Sequence, residues 1–339
     1  MSENIVVPHD RHGLELDEFL CLWFPSCSKG FLRQQVREGL VLVDGGRAQP
    51  SQRLRADQVL IVDFDEDQAP PAPVDPGIPV PILHEDEDLL VLDKPSGLAV
   101  EPERWAREAG SLAGTLLALA RARSPEPAGV PGVDGPLELR LRAVHRLDKE
   151  TSGVLVVAKH LEAERFLRTA FEEDRVEKTY FALVEGEHPL AEGQEETIAL
   201  ALGPDERRSG RMVVDPAGKA AETRIAVEQR FHGFTWMRCR PLTGRTHQIR
   251  VHLAATGFPL AVDAFYGRRN ALALSAIKAG YRAKAGRPER PLIARLTLHA
   301  AAIRLPAPRG GADIAVSAPL PKDLAHLLKQ LGKVRAWRS

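Results

Sequence analysis

The chain has 339 residues, of which 44% are hydrophobic and 27% charged, and its 46 Lys and Arg balance 46 Asp and Glu to a formal charge of zero. No stretch approaches the ~18 uncharged apolar residues of a membrane span. The acidic start MSENIVVPHDRHGLELDEF lacks the basic-then-apolar layout of a secretory signal, and three cysteines without paired spacing exclude a disulfide framework or a zinc site. A reduced, cytoplasmic setting is expected.

In chain order, residues 14–62 form a small module. LELDEFLCLWF has the apolar density of a buried helix, and Ser28 is placed to cap a second helix, KGFLRQQVREG, that ends at Gly39. On that second helix Lys29, Arg33 and Arg37 stand at i, i+4 and i+8, so they share a face, while Phe31, Leu32 and Val36 are free to pack inward. LVLVDGGR reads as a strand entering an Asp44-Gly45 turn, and RLRADQVLIVDF as a further strand with Arg53 and Arg55 at its start. APPAPVDPGIPVP, residues 69–81, breaks helix and sheet alike and marks a linker between a module at 1–68 and a larger domain at 82–339. That domain alternates strand-like runs (LLVLDKP, GVLVVAK, TYFALVEG, ETRIAVEQRF, FTWMRCRPL) with fewer helices. One helix is LEAERFLRTAFEED, where Ala163, Phe166, Leu167, Ala170 and Phe171 keep helical spacing. Strand following strand implies an α+β fold with a mixed, largely antiparallel sheet.

The zero sum hides segregation. Residues 63–103 hold twelve acids and one base, Lys94, whereas residues 238–309 hold fourteen bases against Asp263 and Glu289. A block of that kind reads either as a solvated face or as the electrostatic footprint of a polyanion.

Two segments carry candidate chemistry. HRLDKETSGVLVVAK, residues 145–159, sets Asp148 on a turn just before a buried strand, where it is either a turn residue bonding its own backbone or a carboxylate held at a cleft. PLTGRTHQIRVHLAATGFPLAVDAFYG, residues 241–267, gathers Arg245, His247, Arg250 and His252; Thr246 to Val251 suits a strand or a helix start. Arg250 lies between Ile249 and Val251, and a buried guanidinium needs a carboxylate partner, for which Asp148 is the candidate. The histidines lack the acidic or Cys neighbours of a metal site, so no metal is expected.

These residues resemble the pseudouridine synthases of the large-ribosomal-subunit type over nearly the whole chain. LLVLDKPSGLAV is similar to the first motif of that family, HRLDKETSGVLVVAK to the motif bearing its catalytic aspartate, EKTYFALVEG to the segment with its active-site tyrosine, and TGRTHQIRVHLAATGFPLAVDAFYG to its third motif. Residues 14–62 resemble the RNA-binding module named after ribosomal protein S4. The resemblance implies catalytic roles for Asp148, Tyr180 and Arg250. Asp148 would be the nucleophile or base that detaches uracil, Tyr180 would stack on the extruded base, and Arg250 would pair with the aspartate. It further implies RNA contacts by Arg146, Lys178, Arg245, His247, Lys29, Arg33 and Arg37, with no cofactor. Arg146 would occupy the space left by the flipped base or touch a phosphate. The expected partner is RNA, ribosomal or transfer RNA, with no membrane and a monomeric enzyme. A non-catalytic RNA-binding or ribosome-assembly factor of the same fold is the alternative. A glycosidase-like hydrolase would need a second, paired carboxylate that the motif does not offer.

Overall fold

The structure is a computed structural model and describes residues 3–24, 27–65, 68, 79–100, 111–112, 115–116, 119, 123, 141–282 and 288–337. The chain divides into two compact units, Met1–Ile78 with Glu101–Leu141, and Pro79–Val100 with Arg142–Ser339. Most of the expected linker, residues 69–78, lies outside the described residues.

The N-terminal unit packs α1 (Leu16–Trp23) and α2 (Lys29–Glu38) with a sheet of β1 (Glu3–Val6), β2 (Val41–Val43), β3 (Gly46–Arg47) and β4 (Val59–Val62), ordered β1-β4-β2-β3. Ser28 Oγ accepts the Phe31 N–H at 3.2 Å, and Gly39 ends α2 in the left-handed conformation. Leu32 and Val36 face the core, and Phe31 meets Phe64 edge-on. Asp44 and Gly45 both take positive φ, 50° and 75°, the pairing a two-residue hairpin turn demands. The last strand is shorter than its sequence pattern. It begins only at Val59, because Asp57 turns the chain at φ 65° and leaves Arg53 bridged to Glu15.

In the second unit β5 (Ile82–Glu85), β6 (Leu89–Lys94), β7 (Arg142–Ala143), β8 (Ser152–Ala158), β9 (Glu177–Glu185), β10 (Glu195–Ala199), β13 (Glu222–Phe231), β14 (Phe234–Pro241), β15 (Leu298–Leu305) and β16 (Ile314–Ser317) make one ten-stranded sheet. Its main order is β10-β13-β14-β9-β15-β8-β6-β5; β7 adds to β8 and β16 to β15. A separate hairpin joins β11 (Leu202–Pro204) to β12 (Met212–Val214). Every pairing in the large sheet is antiparallel except β15 with β8. The fold is therefore α+β with a mixed, largely antiparallel sheet.

β8 is buried along its whole length, consistent with the unbroken apolar run VLVVA. Where it meets β15, a Cβ on Gly153 would stand 2.0 Å from the Ala300 carbonyl oxygen, so only glycine permits this close approach. α3 (Leu161–Glu172) lays Ala163, Leu167 and Ala170 on the sheet beside Val154, Val156 and Ala158. α4 (Gln248–Ala255) covers another part with Ile249 and Leu253 against Ala182, Val184, Met237 and Cys239. A short α5 (Leu274–Ile277) and α6 (Lys322–Val334) close a third cluster around Phe231, Trp236 and Leu327.

Two histidines are built into this framework in the uncharged state. His145 Nε2 accepts the Val156 N–H at 3.0 Å, and the fully buried His299 meets Ser152 Oγ through Nδ1 at 3.0 Å. Burial drives the first down to about 3, helped by nearby Lys178, and burial drives the second down to about 4. Both values lie below the ~6.5 of an unfolded-chain histidine, so unfolding takes up protons as pH falls below 6.5 and the native state loses stability. Urea unfolding between pH 6.5 and 4.5 is expected to show stability falling toward a limiting slope of about 1.4 kcal/mol per pH unit for each histidine. Stability independent of pH across that window would contradict the assignment.

Candidate active site

Asp148 lies on the turn that enters β8. Its carbonyl accepts the Thr151 N–H at 3.0 Å, while Leu147 beside it is buried and Arg146 and Lys149 are exposed. The Asp148 backbone makes the turn, while its carboxylate bonds Arg250 in place of its own backbone. The turn is gripped from β6. Lys94, fully buried, donates from Nζ to the carbonyls of Pro95, Leu98 and Lys149 at 3.0, 2.8 and 2.9 Å. The Gly97 N–H also reaches the Lys149 carbonyl, and Ser96 Oγ donates to that of Glu150 at 2.7 Å. Burial lowers the Lys94 ammonium to about 8 against the opposing pull of Glu150 and Asp148. Sequence reasoning missed this residue, although the signal was there: a lone base in an acidic segment, ending an apolar strand.

α4 supplies the partner. His247 precedes it at φ 55°, and the helix starts at Gln248, which settles the strand-or-helix ambiguity of this segment. Gln248 is saturated in its buried site: Oε1 accepts from Thr243 Oγ1 and the Arg245 N–H, and Nε2 donates to the Glu222 carbonyl and Thr223 Oγ1. His252, one turn on, bonds Thr223 Oγ1 and the Leu200 carbonyl, so it anchors the helix. With the helix fixed at its start, Arg250 projects at two carboxylates. Its Nη1 donates to Asp148 Oδ2 at 2.9 Å, and its Nε and Nη2 donate to Asp263 at 2.8 Å each. The Arg250 side chain is 9% exposed, that of Asp263 0%, and that of Asp148 24%, so only Asp148 offers the pair to solvent.

Asp263 was counted in the sequence only as one of two acids in a basic block. Burial pushes its carboxyl up, but the Arg250 hydrogen bonds and charge, with the N–H groups of Phe265 and Tyr266, outweigh it and hold it below the usual range. His247 occupies the other flank of Asp148. The Tyr266 hydroxyl accepts the Met212 N–H at 2.8 Å and lies at hydrogen-bonding distance, 2.8 Å, from His247 Nδ1. His247 Nε2 lies 3.8 Å from Asp148 Oδ1. Burial keeps His247 below its usual value. The structure thus sets His247, expected as an RNA contact, against Tyr266 and near Asp148.

Tyr180 stands on β9 opposite Cys239 and Ala300, on the sheet face that α4 covers. Burial, then the Asp148 charge, push its phenol above the usual range, so it stays protonated. Lys178, two residues earlier on the same strand, is lowered by burial and raised by Asp174. Arg245 is exposed and donates from Nε to the Ala220 carbonyl at 3.0 Å. In the N-terminal unit Arg33 and Lys29 reach Asp17, fully buried, at 2.5 and 3.4 Å, so two of the three bases on that helix face are partly neutralised; Arg37 is exposed.

The basic block is likewise less bare than its count. Arg238, Arg240, Arg250, Arg268, Arg269, Arg295, Arg304 and Arg309 all pair with carboxylates, and Arg309 closes on Glu87 and Asp88 of the acidic stretch. Among the described residues no cluster of His, Cys, Asp and Glu could hold a metal ion.

Residues 88–255 match the family model described as RNA pseudouridylate synthase, and residues 16–60 match that of the S4 domain. The chain is 36% identical to a ribosomal large subunit pseudouridine synthase D of Xanthomonas campestris pv. campestris, over 96% of this chain and 91% of that one. It is 32% identical to an RNA pseudouridine synthase of Bacillus subtilis, YlyB, described as uncharacterized, over 97% and 98%. The chain belongs to the RNA pseudouridine synthases. Among solved structures, human RNA pseudouridylate synthase domain containing 1 superposes with a TM-score of 0.50 at 25% identity, covering 77% of this chain and 98% of that one. Human RNA pseudouridylate synthase domain containing 4 gives 0.53 at 24%, covering 74% and 92%, and speaks for the fold alone.

Within this synthase Asp263→Asn keeps the shape of the side chain and removes its charge. Breaking one partner from a buried pair costs about 3–5 kcal/mol, so urea unfolding is expected to show a loss of that order. A loss under about 1 kcal/mol would mean that Arg250 is held by something else.

Proposed function

We propose that this synthase converts specific uridines of large-subunit ribosomal RNA to pseudouridine, with Asp148 as the group that acts on the flipped-out nucleotide. The observation that carries this reading is the partly exposed Asp148 carboxylate held between Arg250 at 2.9 Å and the neutral His247. The reaction needs no external atom: the bond from ribose C1′ to N1 breaks, the base turns, C1′ joins C5, and the C5 hydrogen leaves as a proton while N1 gains one. A carboxylate serves as nucleophile at C1′ or as base, and a rigid arginine beside it keeps it aimed. The half-buried phenol of Tyr180 is suited to stack on the extruded uracil, a contact worth about 1–3 kcal/mol against an unstacking cost of a few.

In this reading residues 1–68 form the RNA-binding module, 69–81 the linker and 82–339 the catalytic domain. Exposed Arg37, Arg146 and Arg245, with Lys178 and the outer faces of Lys29 and Arg33, contribute phosphate or backbone contacts. The enzyme works in the cytoplasm as a monomer, where ribosomal RNA is made. No helix of the described residues is long and apolar enough to cross a membrane. The alternative, a silent RNA-binding factor, leaves unexplained why a buried guanidinium is aimed at a solvent-facing carboxylate.

Asp148→Asn separates the two readings. Pseudouridine formation on unmodified large-subunit ribosomal RNA is expected to fall at least about 10³-fold. The Asp263–Arg250 pair remains in this variant, so its unfolding free energy should change far less than in Asp263→Asn. Undiminished activity would remove Asp148 from the chemistry.

A further inference from the structure

Phe265 stands out because it is a large apolar side chain left 48% exposed at the rim of the site. The Arg250 guanidinium lies 5.4 Å from its ring centroid and the His247 ring 5.7 Å. Both neighbours touch Asp148: Arg250 by a 2.9 Å hydrogen bond, His247 at 3.8 Å. The ring is also rigidly based. The Phe265 N–H donates to Asp263 Oδ1 at 2.8 Å, so one carboxylate fixes both Arg250 and the backbone that presents Phe265, and Tyr266 meets it edge-on at 6.2 Å.

We propose that Phe265 is a substrate-positioning residue whose exposed face stacks on a nucleobase next to the target uridine. This rests on the assignment of the Asp148 site to uridine isomerisation. Extruding a uridine leaves its neighbours with one face unstacked, and an aromatic ring at the rim of the site replaces that lost partner. The Arg250 cation lies against the ring, the exposed part of the ring is open to a base, and polarisation by the guanidinium favours stacking there. Aromatic stacking tolerates any base, so Phe265 would set depth and register of the strand without reading sequence.

The test measures single-turnover pseudouridine formation on unmodified large-subunit ribosomal RNA at varied enzyme concentration for wild type, Phe265→Ala, Phe265→Leu and Phe265→Tyr, with equilibrium binding of the same RNA. Phe265→Ala is expected to raise the half-saturating concentration about 5- to 150-fold, the equivalent of 1–3 kcal/mol. Its maximal rate is expected to stay within about threefold, the pattern of lost uniform binding. Phe265→Tyr should restore wild-type behaviour, whereas Phe265→Leu, apolar and of similar size but without a π face, should retain most of the loss. The salt dependence of binding should be unchanged, since stacking releases no counterions. Full function in Phe265→Leu would overturn the proposal and leave the ring as a mere cover for Arg250; an unchanged half-saturating concentration in Phe265→Ala would overturn it as well. If wild type binds the RNA but forms no pseudouridine, the isomerase reading fails instead, and the binding series alone decides on Phe265.

Discussion

A guanidinium removed from water is tolerable only where carboxylates replace its hydration, and Arg250 is the residue on which this site turns. Its planar fork gives two parallel hydrogen bonds to Asp263 inside the protein and one to Asp148 at the surface. The inner pair anchors the arginine and the outer bond aims the aspartate. Asp263 in turn receives the N–H groups of Phe265 and Tyr266, so one buried carboxylate organises Arg250, the exposed aromatic ring and, through Tyr266, the contact to His247.

The rest of the fold serves to bring these groups from distant parts of the chain to one place. Asp148 is separated from Arg250 by 102 positions and reaches it from the turn before β8. That turn is stapled by Lys94 from β6 and set against β15 at the one point where Gly153 admits the Ala300 carbonyl. α4 is clamped at its first residue by Gln248 and again by His252, both drawing on Thr223 of β13. Lys94 and Gln248 spend every side-chain donor and acceptor on a protein partner, which makes the constellation stiff where catalysis needs a fixed geometry.

Much of this was legible in the sequence because it rests on local rules. The apolar run after Asp148, the amphipathic spacing of residues 161–172 and the Asp44-Gly45 turn each specify their element through periodicity or backbone preference. The need of Arg250 for a carboxylate followed from its apolar neighbours. Other features were not legible, because they depend on partners remote in sequence. Lys94 became a staple only once β6 lay beside the turn, and Asp263 became the main partner of Arg250 only once the loop after α4 folded back. The contact of His247 with Tyr266 likewise depends on a residue of the loop after α4. Segregated along the chain, the two charge blocks meet in space where Arg309 pairs with Glu87 and Asp88, and eight arginines of the basic block hold carboxylate partners.

The central claim is that the forked geometry of Arg250, beyond its charge, holds Asp148 ready to act. Lysine keeps the charge but is a single point that cannot span two carboxylates. The most direct measurement is therefore the single-turnover rate of Arg250→Lys at saturating RNA, beside its RNA affinity. The account predicts a rate lowered at least about 10²-fold, the cost of misplacing a reacting group by an ångström, with affinity altered little. A rate near that of wild type would contradict it.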